Sequence, residues 1–246
     1  MLVHGWGVSG DIWGALAKRL AQHHRVIVPD LPGHGRSPWD RSFDAMGAAT
    51  WCDAVVEAIA KCLCGRAVWV GWSLGGLLVL TAALRHPDAV ERLILLSSTP
   101  KFVQEAGWSC ALSPRFMDEF ETDLEKDYAV GLKRFFSLMF ASGKNERAAL
   151  RDTRRKFLES GTPRAAWRMG LNVLRHIDVR PALARLQLPA LVVHGGEDRL
   201  IPSDAARYLA QNLAGAHLEM IAPAGHAPFI THLDDVVRAL EISSYV

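Results

Sequence analysis

The segment Ala67-Val68-Trp69-Val70-Gly71-Trp72-Ser73-Leu74-Gly75-Gly76 constrains this chain more than any other stretch. An apolar, β-branched run leads into it, and an apolar helical pattern over 77–84 leads away. That is strand, sharp turn, helix. Glycines at 71 and 75 leave room for a strained turn that lifts the Ser73 hydroxyl above a sheet. The same turn aims the Leu74 N–H and the helix N-terminus at negative charge developing beside Ser73. Gly-x-Ser-x-Gly also occurs by chance as a plain structural turn. The strand before it and the helix after it make Ser73 a candidate nucleophile.

Around this turn, strand and helix patterns alternate, which predicts an α/β fold: a mostly parallel sheet with helices on both faces. Strands are expected at 1–3, 25–29, 67–70, 92–96, 190–193 and 217–221. Helices are expected through Trp13, Leu16, Ala17 and Leu20, over 48–60 and 205–213, and through Leu233, Val236, Val237 and Leu240. Between about 98 and 190 the rhythm stops, and helical patterns run too long for a loop. An inserted helical cap over the C-terminal ends of the strands is expected, where open α/β sheets bind ligands. The expected organisation is therefore a core of 1–99 and 189–246 and a cap of 100–188. Met1–Val3 reads as the end of a core strand, so either the strands that normally precede it are missing through a truncated or misassigned start, or the fold tolerates a short sheet edge.

A formal net charge of +2 gives no general reason to expect nucleic acid. No apolar run reaches membrane-span length and the first residues lack a signal-peptide pattern, so a cytoplasmic protein is expected. The four cysteines (Cys52, Cys62, Cys64, Cys110) lie at no metal-like spacing and read as reduced thiols. No metal and no cofactor are expected.

A serine hydroxyl needs a base, and the base needs an orienting group. Downstream of an elbow like this one the order is acid, then histidine. Asp198 follows the strand Ala190-Leu191-Val192-Val193, and His226 lies in the loop after the last strand. Three strand-end loops thus supply nucleophile, acid and base. Glu197 and, more weakly, Asp178 remain alternatives for the acid. His23, His24, His86 and His232 read as ordinary surface or structural residues. The second oxyanion donor is expected from His4-Gly5-Trp6-Gly7, through the Trp6 N–H, with His4 fixing that loop. Residues 33–37 are glycine-rich but lack the lysine and spacing of a phosphate cradle.

Taken together, the segments HGWG, DLPGHGRS, GWSLGG, GGED and GHAPF, in this order, resemble the α/β-hydrolase superfamily over essentially the whole chain. Within it, GWSLGG with the HGWG loop and HAPFITH resembles the esterases that demethylate pimeloyl-acyl-carrier-protein methyl ester in biotin synthesis. The resemblance implies a serine carboxylester hydrolase, acting as a monomer on an ester carried by an acyl-carrier protein. The alternative is a general short-chain carboxylesterase with no carrier partner. A serine at the elbow argues against dehalogenases and epoxide hydrolases, which use aspartate there. A non-catalytic binding protein of the same fold is the remaining class.

Substrate contacts are expected from Trp6, Trp72, Leu74, Phe120 and Phe135, although cap aromatics also serve as plain packing. Between Lys133 and Lys156 eight basic residues face two acids. Arg147, Arg151, Arg154 and Arg155 share a helical spacing of i, i+4, i+7, i+8. Alone, such a run reads as a solvated face partly paired with the acidic stretch 118–127. With the resemblance, Arg134, Arg147, Arg151 and Arg155 become candidate docking residues for an acidic carrier.

Overall fold

Five strands make one parallel sheet in the order β1-β2-β3-β4-β5: β1 (Leu2–Val3), β2 (Ala67–Trp72), β3 (Val90–Leu96), β4 (Ala190–Gly195) and β5 (His217–Ile221). The computed structural model describes residues 1–140, 148–149, 151–155 and 161–242. The interior strands are apolar where they pass under the helices, β2 over Ala67–Trp72, β3 from Leu93 to Leu96 and β4 from Ala190 to Val193, because helices cover both faces. The edge strand β5 is half-exposed along most of its length.

Helices α1 (Gly14–Leu20), α2 (Ala48–Lys61) and α3 (Leu74–Arg85) come from the first half of the chain. Between β3 and β4 lie α4 (Pro114–Lys126), α5 (Tyr128–Met139) and α6 (Arg164–His176), and residues 151–155 are also helical. After β4 come α7 (Ser203–Asn212), α8 (Pro228–Thr231) and α9 (Leu233–Ile242). Local chemistry sets several of these starts. Ser113 caps α4 by accepting the Phe116 N–H, with Pro114 at the first helical position. Asp127 caps α5 by accepting from Ala129 and Val130.

The segment 25–29 departs from expectation, since it forms no strand. Its neighbour β1 has two residues, and the described tie is one bond from Leu2 N–H to the Ile27 carbonyl at 2.9 Å. Val26, Ile27 and Val28 are β-branched and pack on the core half-buried. Strand propensity without a partner long enough to pair with does not make a ladder.

Among the described residues, the stretch between β3 and β4 contains isolated bridges but no strand of the sheet. Its two legs meet where Lys101 bridges Asp178 and where Val179 N–H reaches the Pro100 carbonyl at 3.0 Å. Lys101 and Arg180 hold Glu105 and Asp178 in one ion cluster, with Arg180 stacked over Trp108. Asp178, an alternative for the acid, is therefore committed to the base of the insertion. No described helix is long and apolar enough to cross a membrane.

Candidate active site

The turn after β2 holds Ser73 at φ 54°, a left-handed conformation rare for a residue with a side chain. Its surroundings force this shape. A Cβ on Gly75 would lie 2.1 Å from the Val3 carbonyl oxygen, and one on Gly71 would lie 2.4 Å from that of Gly75. Ser73 N–H donates to the Leu96 carbonyl at 3.0 Å, and Ser98 Oγ donates to the Ser73 carbonyl at 2.7 Å. The turn is thus anchored to β3, and α3 starts at Leu74 directly beyond it. As the first residue of α3, Leu74 has an N–H with no intrahelical acceptor.

Loops after β4 and β5 complete a hydrogen-bonded chain. His226 Nε2 lies 2.9 Å from Ser73 Oγ, and His226 Nδ1 lies 2.7 Å from Asp198 Oδ2. The other carboxylate oxygen, Oδ1, accepts from the Leu200 and Ile201 N–H groups at 2.9 and 3.0 Å. The Asp198 side chain is fully buried. Burial alone would raise its pKa. The His226 charge and hydrogen bond, His194 and the Ile201 N–H outweigh that and hold it below the usual carboxylate range. Glu197, the other alternative acid, is exposed, and its backbone N–H is tied to the Ala224 carbonyl.

Sequence reasoning missed two supports of this chain. His194 sits at the end of β4, with Nε2 3.0 Å from the Ile201 carbonyl and 3.4 Å from Asp198 Oδ2. Both neighbours are acceptors, so Nε2 carries the proton, and Asp198 Oδ2 faces two imidazole N–H groups. Trp72, expected beside the substrate, also reaches the His226 loop. Its Nε1–H donates to the His226 carbonyl at 2.8 Å, and its ring meets His226 and Phe229 and lies against Gly5. In β2, side chains alternate between faces, so the residue before Ser73 points into the layer beneath His226. No spacing rule in the sequence signals either contact.

The loop His4–Gly7 lies against Ser73: a Cβ on Gly5 would sit 3.2 Å from Ser73 Cβ. His4 secures this loop. Its Nε2 accepts the Leu31 N–H at 2.9 Å, which leaves the proton on Nδ1, 2.9 Å from the Gly5 carbonyl. Burial first, then neighbouring His34, lowers the His4 pKa to about 3, against weaker raising by Gly5 and Asp30. A folded value below the unfolded one means that unfolding takes up a proton below pH 6.5. The stabilisation from neutral His4 is therefore complete above about pH 6.5 and is lost as pH falls toward 3. At pH 5.5 this linkage costs about 1.4 kcal/mol relative to pH 7.5. In urea melts at those two pH values, His4→Gln should lose less stability than the native chain; an equal loss would assign the acid sensitivity elsewhere.

The aromatic residues Trp6, Phe120 and Phe135, from three distant stretches, come together beside the loop that precedes Gly7. Trp6 lies edge-on to Phe120 and Phe135, with centroids 5.3 and 5.2 Å away, and the two phenylalanines stack at 5.1 Å. Phe116, not foreseen, extends the stack beyond Phe120. The insertion also touches the loop carrying His226, since His226 N–H donates to the Met139 carbonyl at 2.7 Å.

The basic candidates divide. Arg134 is half-exposed and paired with Glu119 and Asp123 of α4. Arg164, Arg168 and Arg175 are likewise paired with acids of α4, so the acidic stretch is largely internal to the cap. Arg151 and Arg155 are exposed, with Arg155 bonded to Asp152 one turn away. Arg147 lies outside the described residues. All four cysteines are free, and among the described residues no group of three or more His, Cys, Asp or Glu side chains is placed to hold a metal.

This geometry suits acyl transfer. A hydroxyl whose proton can pass to a neutral imidazole, beside a helix N-terminus and a glycine loop, can attack an ester carbonyl. Comparison with known proteins agrees in class. A family model described as alpha/beta hydrolase fold matches residues 1–233. The chain is 39% identical over 241 residues to the pimeloyl-[acyl-carrier protein] methyl ester esterase of Xanthomonas campestris pv. campestris (strain B100), covering 98% of this chain and 92% of that protein. It is 35% identical over 240 residues to the protein of that name from Chromobacterium violaceum, covering 98% and 91%. Among solved structures, an esterase from Exiguobacterium antarcticum superposes with a TM-score of 0.86 at 23% identity, over 99% of this chain and 90% of that one.

Proposed function

The chain belongs to the alpha/beta hydrolase family and groups with its pimeloyl-[acyl-carrier protein] methyl ester esterases, and from that premise we propose that it demethylates pimeloyl-acyl-carrier-protein methyl ester, a step of biotin synthesis. The observation that carries the ester-hydrolase part is the unbroken hydrogen-bonded chain Ser73–His226–Asp198. Ser73 Oγ attacks the ester carbonyl carbon as His226 Nε2 takes the hydroxyl proton. Asp198 holds the imidazole in its Nδ1–H tautomer and stabilises the imidazolium. The N–H groups of Trp6 and Leu74 receive the oxyanion. His226 then passes its proton to the departing methoxide, methanol leaves, and water, deprotonated by His226, frees the carboxylic acid and restores Ser73.

Residues 100–188 act as the cap in this reading, with Trp6, Phe120 and Phe135 as the apolar wall for a methylene chain. Trp72 borders that wall beside Gly5 while its indole also supports His226. The enzyme works as a monomer in the cytoplasm, where free thiols persist. An acidic carrier docks on the exposed side of 151–155, on Arg151 and Arg155, with Arg147 of the same run.

Replacing Arg147, Arg151 and Arg155 by Glu is the test of the carrier. Turnover of p-nitrophenyl acetate should change by less than about twofold, because surface charges outside the chemical site act on encounter and not on bond breaking. Hydrolysis of the carrier-bound methyl ester should fall at least tenfold in kcat/KM, and native activity on it should drop as salt rises from about 50 to 500 mM. Equal responses of both substrates would instead favour a general short-chain esterase.

A further inference from the structure

Helix α6 meets the site at an unusual point. Gly170 sits in its interior, where glycine is disfavoured relative to alanine. A Cβ at this position would lie 2.5 Å from Cδ1 and 3.0 Å from Nε1 of Trp6. Three residues earlier, the Trp167 carbonyl accepts the Trp6 Nε1–H at 2.9 Å in a buried bond. The indole therefore rests in a notch of bare helix backbone and is bonded to its rim. It has no room to yield, since Phe120 and Phe135 press on it edge-on and it is 3% exposed.

Trp6 carries more than its ring. It follows Gly5, which is packed against Ser73, and its backbone N–H is the second oxyanion donor in the proposed mechanism, on which the present inference rests. We infer that Gly170 is a positioning residue: the notch it makes with the Trp167 carbonyl sets where the Trp6 N–H stands, so that the oxyanion hole is complete only with α6 seated. The insertion thus acts on rate as well as on substrate binding. The Met139 carbonyl, which accepts the His226 N–H, ties the base loop to the same insertion. Whatever shifts α6 shifts the donor.

The test is Gly170→Ala, assayed with p-nitrophenyl acetate. A donor displaced by a few tenths of an ångström or more forfeits part of the roughly hundredfold or larger effect of a whole oxyanion contact. The expected result is a loss of about tenfold or more in kcat with KM changed less than about threefold, and an equal fractional loss on the carrier-bound ester. In Trp6→Ala, where there is no indole to displace, adding Gly170→Ala should change kcat by less than about twofold, a non-additivity that general damage to the helix does not produce. Should Gly170→Ala fail to fold, Trp6→Phe takes its place, removing the bond to Trp167 while keeping a ring in the notch. A fall in kcat at constant KM supports the inference there too. Native kcat in Gly170→Ala, an undiminished effect in the Trp6→Ala background, or native kcat in Trp6→Phe overturns it. An enzyme inactivated by Ser73→Ala yet indifferent to Gly170→Ala would overturn the notch alone and leave the ester-hydrolase reading standing.

Discussion

Ser73→Ala is expected to lower kcat for p-nitrophenyl esters by about a millionfold, on the scale seen when a serine nucleophile is removed from a working triad. That factor corresponds to about 8 kcal/mol of activation free energy. The loss is this large because no other described hydroxyl stands 2.9 Å from His226 Nε2. Ser98, which lies against this turn, spends its hydroxyl on the Ser73 carbonyl. The methyl side chain of alanine fits the space of Ser73, and the strained φ of 54° is imposed by the backbone packing at Gly71 and Gly75 in either case. Circular dichroism and the thermal midpoint should therefore stay close to native while turnover disappears. Activity within about tenfold of native would sink the nucleophile assignment, since that is about 1.4 kcal/mol of barrier.

Asp198→Asn should lower kcat by about 10⁴-fold, while Glu197→Gln should change it less than about threefold. The difference follows from where the two side chains lie. Asp198 is buried, accepts His226 Nδ1–H on Oδ2 and two backbone N–H groups on Oδ1. An asparagine keeps an oxygen for the loop but turns an amide donor toward Nδ1, which favours the wrong tautomer and leaves the imidazolium uncompensated. Glu197 is exposed and holds its loop through the backbone. Rates measured at pH 8 on both variants decide the matter; a Glu197→Gln enzyme more damaged than Asp198→Asn would move the acid by one residue.

The sequence by itself determined the parts that depend on neighbours along the chain. The strand, turn and helix around Ser73 are set by β-branched residues, two glycines and an apolar helical stripe, all within about one supersecondary unit. The order of Ser73, Asp198 and His226, each just past a strand, was legible for the same reason: parallel strands deliver their following loops to one edge of the sheet. The helical insertion was visible as a break in the βα rhythm. Tertiary structure decided the rest. Residues 25–29 have the composition of a strand, yet β1 is too short to pair with them. Arg134 and Arg151 look alike in the sequence, but only the folded cap sets Glu119 and Asp123 beside the first. Trp72 carries no mark telling that its indole serves His226, because the two meet across 154 positions of chain. Gly170 reads as a flaw in a helix until Trp6, far away in sequence, is seen lying in the space its missing side chain leaves. Propensity and spacing act through adjacent residues, whereas ion pairing, ring packing and close backbone approach depend on partners that only the closed fold brings within a few ångströms.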